Sequence, residues 1–511
     1  MPEPIYFTTP LYYVNAEPHL GHTYTTVVVD TLARFHRSMG REVFFLTGTD
    51  EHGDKIAQAA ETAATDPKAY ADRIAGIFRD TWDTCDVTYD HFIRTTDDYH
   101  KEFVSDVRAR VHEQGDIYFG EYGGNYCTGC ERFYTDKELV DGKCPDHEVE
   151  PEWIAEENYF FRMGRYQERL LEHIEKNPDF ISPAGYRNEV LGLLREPLED
   201  LCISRPKSRL TWGVELPFDE RYVCYVWFDA LLNYVSGLRH ARPDTADALW
   251  ANCHHLIAKD IVKPHAVFWP TILMAAGIPL YEGLHVHGYW NMGESKMSKS
   301  LGNVIRPLEM RERFGLDSFR YFLLRDMAFG QDSSFTEDAF VARYNADLSN
   351  GVGNLTSRVL SMQKKYFERR VQPAAGALTD QDRALEAAFA DAEAGAKRHV
   401  EGFAFHMALE EIWKAVAACD KYVDDTQPFK LVKQDRERGG VILHVLTDGL
   451  RHLARLLGPF LPETSARMSA LLGTEPERLA DPAPAWGESF ADGHELSAPE
   501  PLFPRLDVDK A

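Results

Sequence analysis

The opening of the chain alternates short apolar runs with longer segments of helical spacing. Ile5-Tyr6-Phe7-Thr8-Thr9 is β-prone, Asn15 to Pro18 carries turn residues, and His19 to Met39 keeps helical spacing until Gly40. Val43-Phe44-Phe45-Leu46-Thr47 then reads as a buried strand and Lys55 to Ala64 as a helix. A β-α-β-α succession is the pattern of a parallel sheet covered by helices. From about Gly115 to Trp212 the rhythm breaks into pieces rich in Gly, Cys, Tyr and Pro, as expected of an inserted domain. It resumes at Tyr225 to Tyr234, with a strand over His255-Leu256-Ile257-Ala258, a helix over Pro264 to Ala276 and a strand at His285-Val286-His287-Gly288.

Beyond about Asn345 strand signals stop. Ala-rich and Leu-rich stretches such as Ala384 to Val400 and Val441 to Leu457 predict a helical bundle, Ala480 to Ala485 loosens its end, and Pro501-Leu502-Phe503-Pro504 reads as an extended tail packing back on the body. The pattern sets the expected boundaries: a sheet domain in two halves, 1–114 and 216–285, an insertion at 115–215, a linker domain at 286–345, a bundle at 346–490 and a tail at 491–511. No internal repeat is visible.

Composition narrows this picture. At 511 residues and 44% hydrophobic, the chain can bury a large core, and its length fits several domains. Met1-Pro2-Glu3-Pro4 has no basic region followed by an apolar stretch, and no run reaches the ~20 apolar residues that cross a bilayer, so a soluble cytoplasmic protein is expected. The net charge of -25 argues against non-specific coating by nucleic acid and leaves room only for a local basic track. Lys364-Lys365 with Arg369-Arg370, and Lys430 to Arg438, are candidates, although each taken alone reads as a solvated helix face. Five cysteines, Cys85, Cys202, Cys224, Cys253 and Cys419, are scattered as small core residues are. The other three are clustered.

That cluster, Cys127-Thr128-Gly129-Cys130 followed by Cys144-Pro145-Asp146-His147, has the spacing of two tight knuckles that point ligands at one ion. Three thiolates and an imidazole from Cys127, Cys130, Cys144 and His147 complete a tetrahedral zinc site with no position left for water, which makes the metal structural.

Two further motifs concern phosphate. His19-Leu20-Gly21-His22 opens the first helix, where unpaired N–H groups attract anions, Gly21 permits close approach of a nucleotide, and the two histidines share a face. Alone, it reads equally as a helix cap with two surface histidines. Lys296-Met297-Ser298-Lys299-Ser300, with Leu301-Gly302-Asn303, places two lysines on a Gly-bounded loop able to follow a triphosphate as charge develops.

HLGH near the start of a split sheet together with KMSKS at its end resembles the class I aminoacyl-tRNA synthetases. The resemblance implies a Rossmann-like α/β fold split by the zinc-binding insertion and followed by an all-α anticodon-binding bundle. It implies in-line attack of an amino-acid carboxylate on the α-phosphorus of ATP, a reaction of positioning and charge stabilisation. Carried onto this chain, His19 and His22 stabilise the transition state, Lys296 and Lys299 neutralise the departing pyrophosphate with Mg2+ assisting, and Gly21 and Asp260 join the ATP contacts.

Pro10-Leu11-Tyr12-Tyr13-Val14-Asn15, Gly48-Thr49-Asp50-Glu51-His52-Gly53, Tyr225-Val226-Trp227-Phe228-Asp229-Ala230 and Lys259-Asp260-Ile261 with His265 and Trp269 resemble the methionyl-tRNA synthetases over nearly the whole chain, and the cysteine spacing resembles their single-zinc branch. By that resemblance Leu11, Tyr13, Trp227, Ala230, Tyr234, Ile261, His265 and Trp269 line a methionine pocket and Asp50 binds the ammonium. An aromatic cage suits a polarizable thioether, with Tyr13 and His265 offering polar contacts to sulfur. Such a pocket excludes homocysteine poorly, since one methyl group is worth only about 1–3 kcal/mol. Clearance by cyclisation to the thiolactone in the same site is the implied remedy, the insertion being too short for the hydrolytic domain of the valine, isoleucine and leucine enzymes. Leu231 stands where the family carries proline and Ala258 where glycine is usual.

Asn354-Leu355-Thr356-Ser357-Arg358 resembles the family's anticodon-reading helix, with Asn354 and Arg358 one turn apart, and Phe429 occupies the place of a stacking tryptophan. The expected partners are L-methionine, ATP and tRNA(Met), the expected state a monomer, with no membrane. Two rivals remain at this stage: a class I synthetase for isoleucine, valine, leucine or cysteine, and a non-catalytic tRNA-binding or regulatory zinc protein.

Overall fold

A computed structural model describes residues 3–127, 132–134, 138–145, 148–292, 295–296 and 305–507. The chain divides into two compact units that do not follow its order: residues 4–18 with 43–287, and residues 19–42 with 288 onward.

The first unit is built on a mostly buried parallel sheet. Its strand order is Tyr12–Tyr13, Val43–Asp50, Ile5–Thr8, Cys253–Ala258, Gly283–His287 and Ile181–Ser182, with His91–Arg94 also pairing with Val43–Asp50. Every residue of Val43–Asp50 is buried, which is why its first half, Val43-Phe44-Phe45-Leu46, reads as an apolar run rather than an alternation. Gly48 is fixed by its neighbour: a Cβ there would lie 1.9 Å from the Ile93 carbonyl oxygen of the His91–Arg94 strand. Because Ile5–Thr8 has the next β-α element on one side and Cys253–Ala258 on the other, strand order reverses there, and the carboxyl ends of such strands are where open α/β sheets hold ligands. Asp50 is the last residue of its strand, and Lys259-Asp260-Ile261 follows Ala258 directly.

The inserted segment carries an antiparallel sheet in the order Arg132–Tyr134, Ile117–Cys127, Glu152–Phe161, Leu201–Cys202, and a smaller sheet of Ser204–Pro206, Asp219–Cys224 and Glu215–Leu216. Helices Pro67–Thr84 and Asp98–Glu113, absent from the sequence reading, complete the unit.

In the second unit the Leu20–Ser38 helix packs with Leu316–Asp326, and a bundle of long helices follows: Asn354–Phe367, Asp380–Glu401, Phe405–Thr426, Arg436–Leu457 and Pro462–Leu472. A fully buried ion pair joins the first two helices. Arg320 donates from Nη1 to Asp30 Oδ2 at 2.6 Å, and from Nε to the Phe460 carbonyl at 2.9 Å, while Arg34 Nε reaches the same Asp30 oxygen at 2.8 Å. Residues 501–506 run along the π-helical segment Tyr344–Gly353, where Tyr344 donates to the Pro504 carbonyl and Asn345 pairs with the backbone of Leu506. Among the described residues no helix is long and apolar enough to cross a membrane.

Candidate active site

In the sheet unit, the residues of the expected pocket gather at the carboxyl ends of the central strands. Leu11, Tyr13, Trp227 and Ile261 are half-buried, whereas Asp50, Ala230, Tyr234, His265 and Trp269 are buried. Trp227 and Ala230 lie on the short Val226–Ala230 helix and Tyr234 on the next, Asn233–Ala241, while His265 is on the π-helical turn Pro264–Phe268 that leads into Trp269.

Two imidazoles hold this wall. His265 donates from Nδ1 to the Ile261 carbonyl at 2.9 Å and accepts at Nε2 from the Tyr234 hydroxyl at 2.8 Å, so its neutral form has a single tautomer. Burial lowers its pKa to about 4. His255 accepts at Nε2 from the Trp269 indole N–H at 3.2 Å and meets the Thr8 hydroxyl through Nδ1 at 2.8 Å, and burial pushes its pKa well below the ordinary histidine value. Trp269 is fully enclosed by Tyr234, Trp250 and His255. The polar contacts expected to face sulfur are therefore engaged: both nitrogens of His265 are taken, and Tyr13 donates its hydroxyl to the His52 carbonyl at 3.2 Å.

The loop after Val43–Asp50 is clamped on both sides of Asp50. Glu51 is buried and receives Arg94 at 2.7 and 2.8 Å, Thr49 at 2.7 Å and Thr96 at 2.6 Å. His52 meets Asp229 at 2.7 Å through Nδ1, and His100 meets the other carboxylate oxygen at 3.1 Å. Burial alone would raise the Asp229 pKa, but the imidazoles of His52 and His100 hold it below the ordinary carboxylate range. The two departures from the family pattern rest on ordinary backbone: Leu231 has φ −64°, which proline also takes, and Ala258 is extended at φ −81° and ψ 157°. Asp260 is exposed in the turn beyond it.

In the other unit the Leu20–Ser38 helix is capped by its own histidines. Gly21 N–H donates to His19 Nδ1 at 3.1 Å, His19 N–H to His22 Nδ1 at 3.4 Å, and the rings stack with centroids 3.7 Å apart. Leu20 N–H donates to the Ile305 carbonyl at 3.0 Å. The amides of Leu20 and Gly21 thus have partners already, and acceptance at Nδ1 leaves each neutral ring as the Nε2–H tautomer, a donor on the opposite edge. A Cβ on Gly21 would come within 3.2 Å of the His19 ring. Lys296 pairs with Asn291 in a short antiparallel ladder. Lys299 lies outside the described residues.

Of the zinc set, Cys127 and Cys144 are buried in one small cluster with Tyr134, whose hydroxyl is 3.3 Å from Cys144 Sγ. Two buried thiols in one cluster fit a soft thiolate-bound ion. Cys130 and His147 lie outside the described residues, and among those described no group of three metal-ligating side chains comes together. The five scattered cysteines are all buried.

Asn354 opens its helix, exposed, and Arg358 one turn on is ion-paired with Asp420 at 3.0 Å and Asp424 at 3.6 Å. Phe429 is 39% exposed on the short Pro428–Leu431 helix. Its carbonyl accepts from the Tyr366 hydroxyl at 3.3 Å, and Arg436 donates to the Tyr366 carbonyl at 2.6 Å, which brings the two basic segments of the sequence together around the exposed Phe429 and the half-buried Tyr366.

Comparison with known proteins bears on all of this. A model described as "tRNA synthetases class I (M)" matches residues 5–150 and 147–360, and one for the "anticodon binding domain of methionyl tRNA ligase" matches residues 372–511. The chain belongs to the class I methionyl-tRNA synthetases. A methionine–tRNA ligase of Caldanaerobacter subterraneus is 43% identical over all of this chain and 80% of its own length, and one from Fusobacterium nucleatum is 38% identical over all of this chain and 81% of its own. A solved methionyl-tRNA synthetase of Mycobacterium tuberculosis, in complex with methionyl-adenylate, is 40% identical, with a TM-score of 0.92 over 98% of this chain and 100% of the other.

Within this family member the sequence reading missed His52, His100 and Asp229, and the pair His255 and Thr8. The only signal for them was that His52 and Asp229 fall inside the motifs GTDEHG and YVWFDA. Nothing local pointed to their meeting.

Proposed function

We propose that this chain activates L-methionine with ATP to methionyl-adenylate, releasing pyrophosphate, and transfers methionine to the 3'-terminal ribose of tRNA(Met). Its family makes it an enzyme, a ligase that forms aminoacyl-tRNA. The observation that carries the methionine reading is the placement of a buried Asp50 at the end of a central strand beside the aromatic set of Tyr13, Trp227 and Tyr234. A carboxylate there takes the substrate ammonium, and the aromatic surface takes an unbranched thioether.

Because Tyr13 and His265 already hold hydrogen-bond partners, we assign them to shaping the pocket rather than to bonding sulfur. Leu11, Ala230, Ile261 and Trp269 supply apolar surface around or behind it. The Nε2–H edges of His19 and His22 are the donors assigned to the phosphoryl oxygens, with Gly21 allowing close approach and Asp260 assigned to the nucleotide. Lys296 and Lys299 are assigned to the departing pyrophosphate. Mg2+ bound with ATP would add positive charge over the phosphates. Cys127, Cys130, Cys144 and His147 would hold one structural zinc ion, which ties the knuckles of the insertion together. Asn354, Arg358 and Phe429 are assigned to the anticodon, and Arg358 must leave Asp420 and Asp424 to read a base. We further propose a cytoplasmic monomer that clears homocysteine as its thiolactone.

Amino-acid-dependent pyrophosphate exchange, run with each of the twenty amino acids, tests the central claim. Fast exchange with methionine alone is expected. Faster exchange with isoleucine, valine, leucine or cysteine would replace the methionine assignment. Homocysteine should exchange as well and release thiolactone, and accumulation of its adenylate would remove the clearance step.

A further inference from the structure

We infer that His52 is a positioning residue that couples recognition of the amino acid's ammonium to recognition of its side chain, an inference that rests on the methionine reading above. His52 stands two residues beyond Asp50 and is buried. Its two polar ends point to two different parts of the pocket. The carbonyl accepts from the Tyr13 hydroxyl at 3.2 Å, while Nδ1 donates to Asp229 Oδ2 at 2.7 Å, on the five-residue helix that also carries Trp227 and Ala230. Asp229 is itself fully enclosed, and its second oxygen is held at 3.1 Å by His100, whose other nitrogen meets the Ser236 hydroxyl at 2.8 Å. A buried carboxylate with an imidazole on each oxygen has little freedom to rotate.

On the other side, Glu51 is locked by Arg94, Thr49 and Thr96, and the Trp212 ring lies against the His52 ring with centroids 5.4 Å apart. The segment 49–52 therefore has one rigid attachment before His52 and one at its ring. Any shift of Asp50 toward or away from a bound ammonium is transmitted through His52 to Tyr13 by its carbonyl and to Trp227 and Ala230 by its ring. The ammonium anchor and the side-chain wall are thus adjusted together, so that a substrate seating only one of its two ends loses more than that end's own contacts.

The test uses the full-length chain and methionine-dependent pyrophosphate exchange, with methionine and ATP titrated separately. His52→Ala should raise the methionine KM by about tenfold or more and leave the ATP KM within about twofold. His52→Asn, which keeps a side-chain N–H near the position of Nδ1, should recover most of that loss. A double-mutant cycle between Asp50→Asn and Trp227→Ala should be non-additive in the wild-type background and additive in His52→Ala. If His52→Ala unfolds, Asp229→Asn carries the test: it is isosteric but sets an amide N–H against one imidazole, and it should give the same split between the two KM values. Parallel rises in both KM values, or non-additivity that survives in His52→Ala, overturns the inference. Wild-type protein with no methionine-dependent exchange would instead overturn the functional reading beneath it, a result that no variant imitates.

Discussion

The Tyr234 hydroxyl donates to Nε2 of His265 at 2.8 Å, and the opposite nitrogen of the same ring donates to the Ile261 carbonyl, so the ring is locked between two elements of the pocket wall. Removing one partner leaves a buried nitrogen unsatisfied. Tyr234→Phe should therefore destabilise the protein by about 1–3 kcal/mol and raise the methionine KM by about tenfold without changing that for ATP. Denaturant unfolding and pyrophosphate exchange measure the two effects, and an unaltered methionine KM would show that the lock does not shape the pocket.

His265 also sets a pH dependence of stability. Its folded pKa of about 4 lies below the ordinary value of 6.5, so the neutral form is the one the fold favours. Above 6.5 both folded and unfolded chains are neutral there and the stability is fully present. As pH falls from 6.5 toward 4 the unfolded chain takes up a proton that the folded chain refuses, at a cost of up to about 1.4 kcal/mol per pH unit. His255 acts in the same direction. Unfolding free energies measured between pH 7 and 4 should fall, and His265→Gln should make the slope shallower by up to one proton. An unchanged slope in that variant would mean that His265 is protonated in the fold.

Much of the scaffold for these residues was readable in advance, and the reasons are local. Val43–Asp50 announces itself through its apolar first half, Val43-Phe44-Phe45-Leu46, as a strand buried on both faces does, and the bundle helices through apolar residues at helical spacing. His91–Arg94 did not, being four residues long with polar ends that are only half-buried. The contacts within the site were the least visible part. His52 and Asp229 are 177 positions apart and His100 and Asp229 are 129 apart, distances over which no periodicity carries information. The spacing of His19 and His22 gave a shared face, but not that the two rings turn back to cap their own helix.

That cap makes Gly21 sensitive to its size. Gly21→Ala would place a methyl group 3.2 Å from the His19 ring, closer than ordinary packing, so the ring must shift while the helix persists. Adenylate formation should fall by about tenfold or more, with thermal stability little altered. Full activity in Gly21→Ala would show that the ring position seen here is not the working one.

Arg320 carries a buried charge whose removal stability should register. It and Asp30 are both fully buried, so removing the guanidinium takes from Asp30 a buried partner that the partly exposed Arg34 does not replace, at a cost of roughly 3–5 kcal/mol. Arg320→Met should lower the denaturation midpoint sharply. Arg320→Lys should not restore it, because an ammonium cannot serve Asp30 and the Phe460 carbonyl in the fork geometry of a guanidinium. Wild-type stability in either variant would mean that the pair contributes nothing to the fold.

Metal content tests the knuckles. Purified protein should carry about one zinc ion per chain, and a strong chelator or Cys144→Ala should remove it and lower the melting temperature. Active protein that is stable and free of zinc would leave the buried thiols of Cys127 and Cys144 as plain core residues.

The Asp30–Arg320 pair also ties the fold to the order of synthesis. The carboxylate emerges from the ribosome 290 residues before its guanidinium, and the Phe460 carbonyl that completes the arrangement comes later still. At about 5–20 residues per second the nascent Leu20–Ser38 helix waits roughly 15 to 60 s for Arg320, with Arg34 of the same helix as the partner of Asp30 that is made with it. The Leu20–Ser38 helix is thus made among the first segments and locked in place among the last.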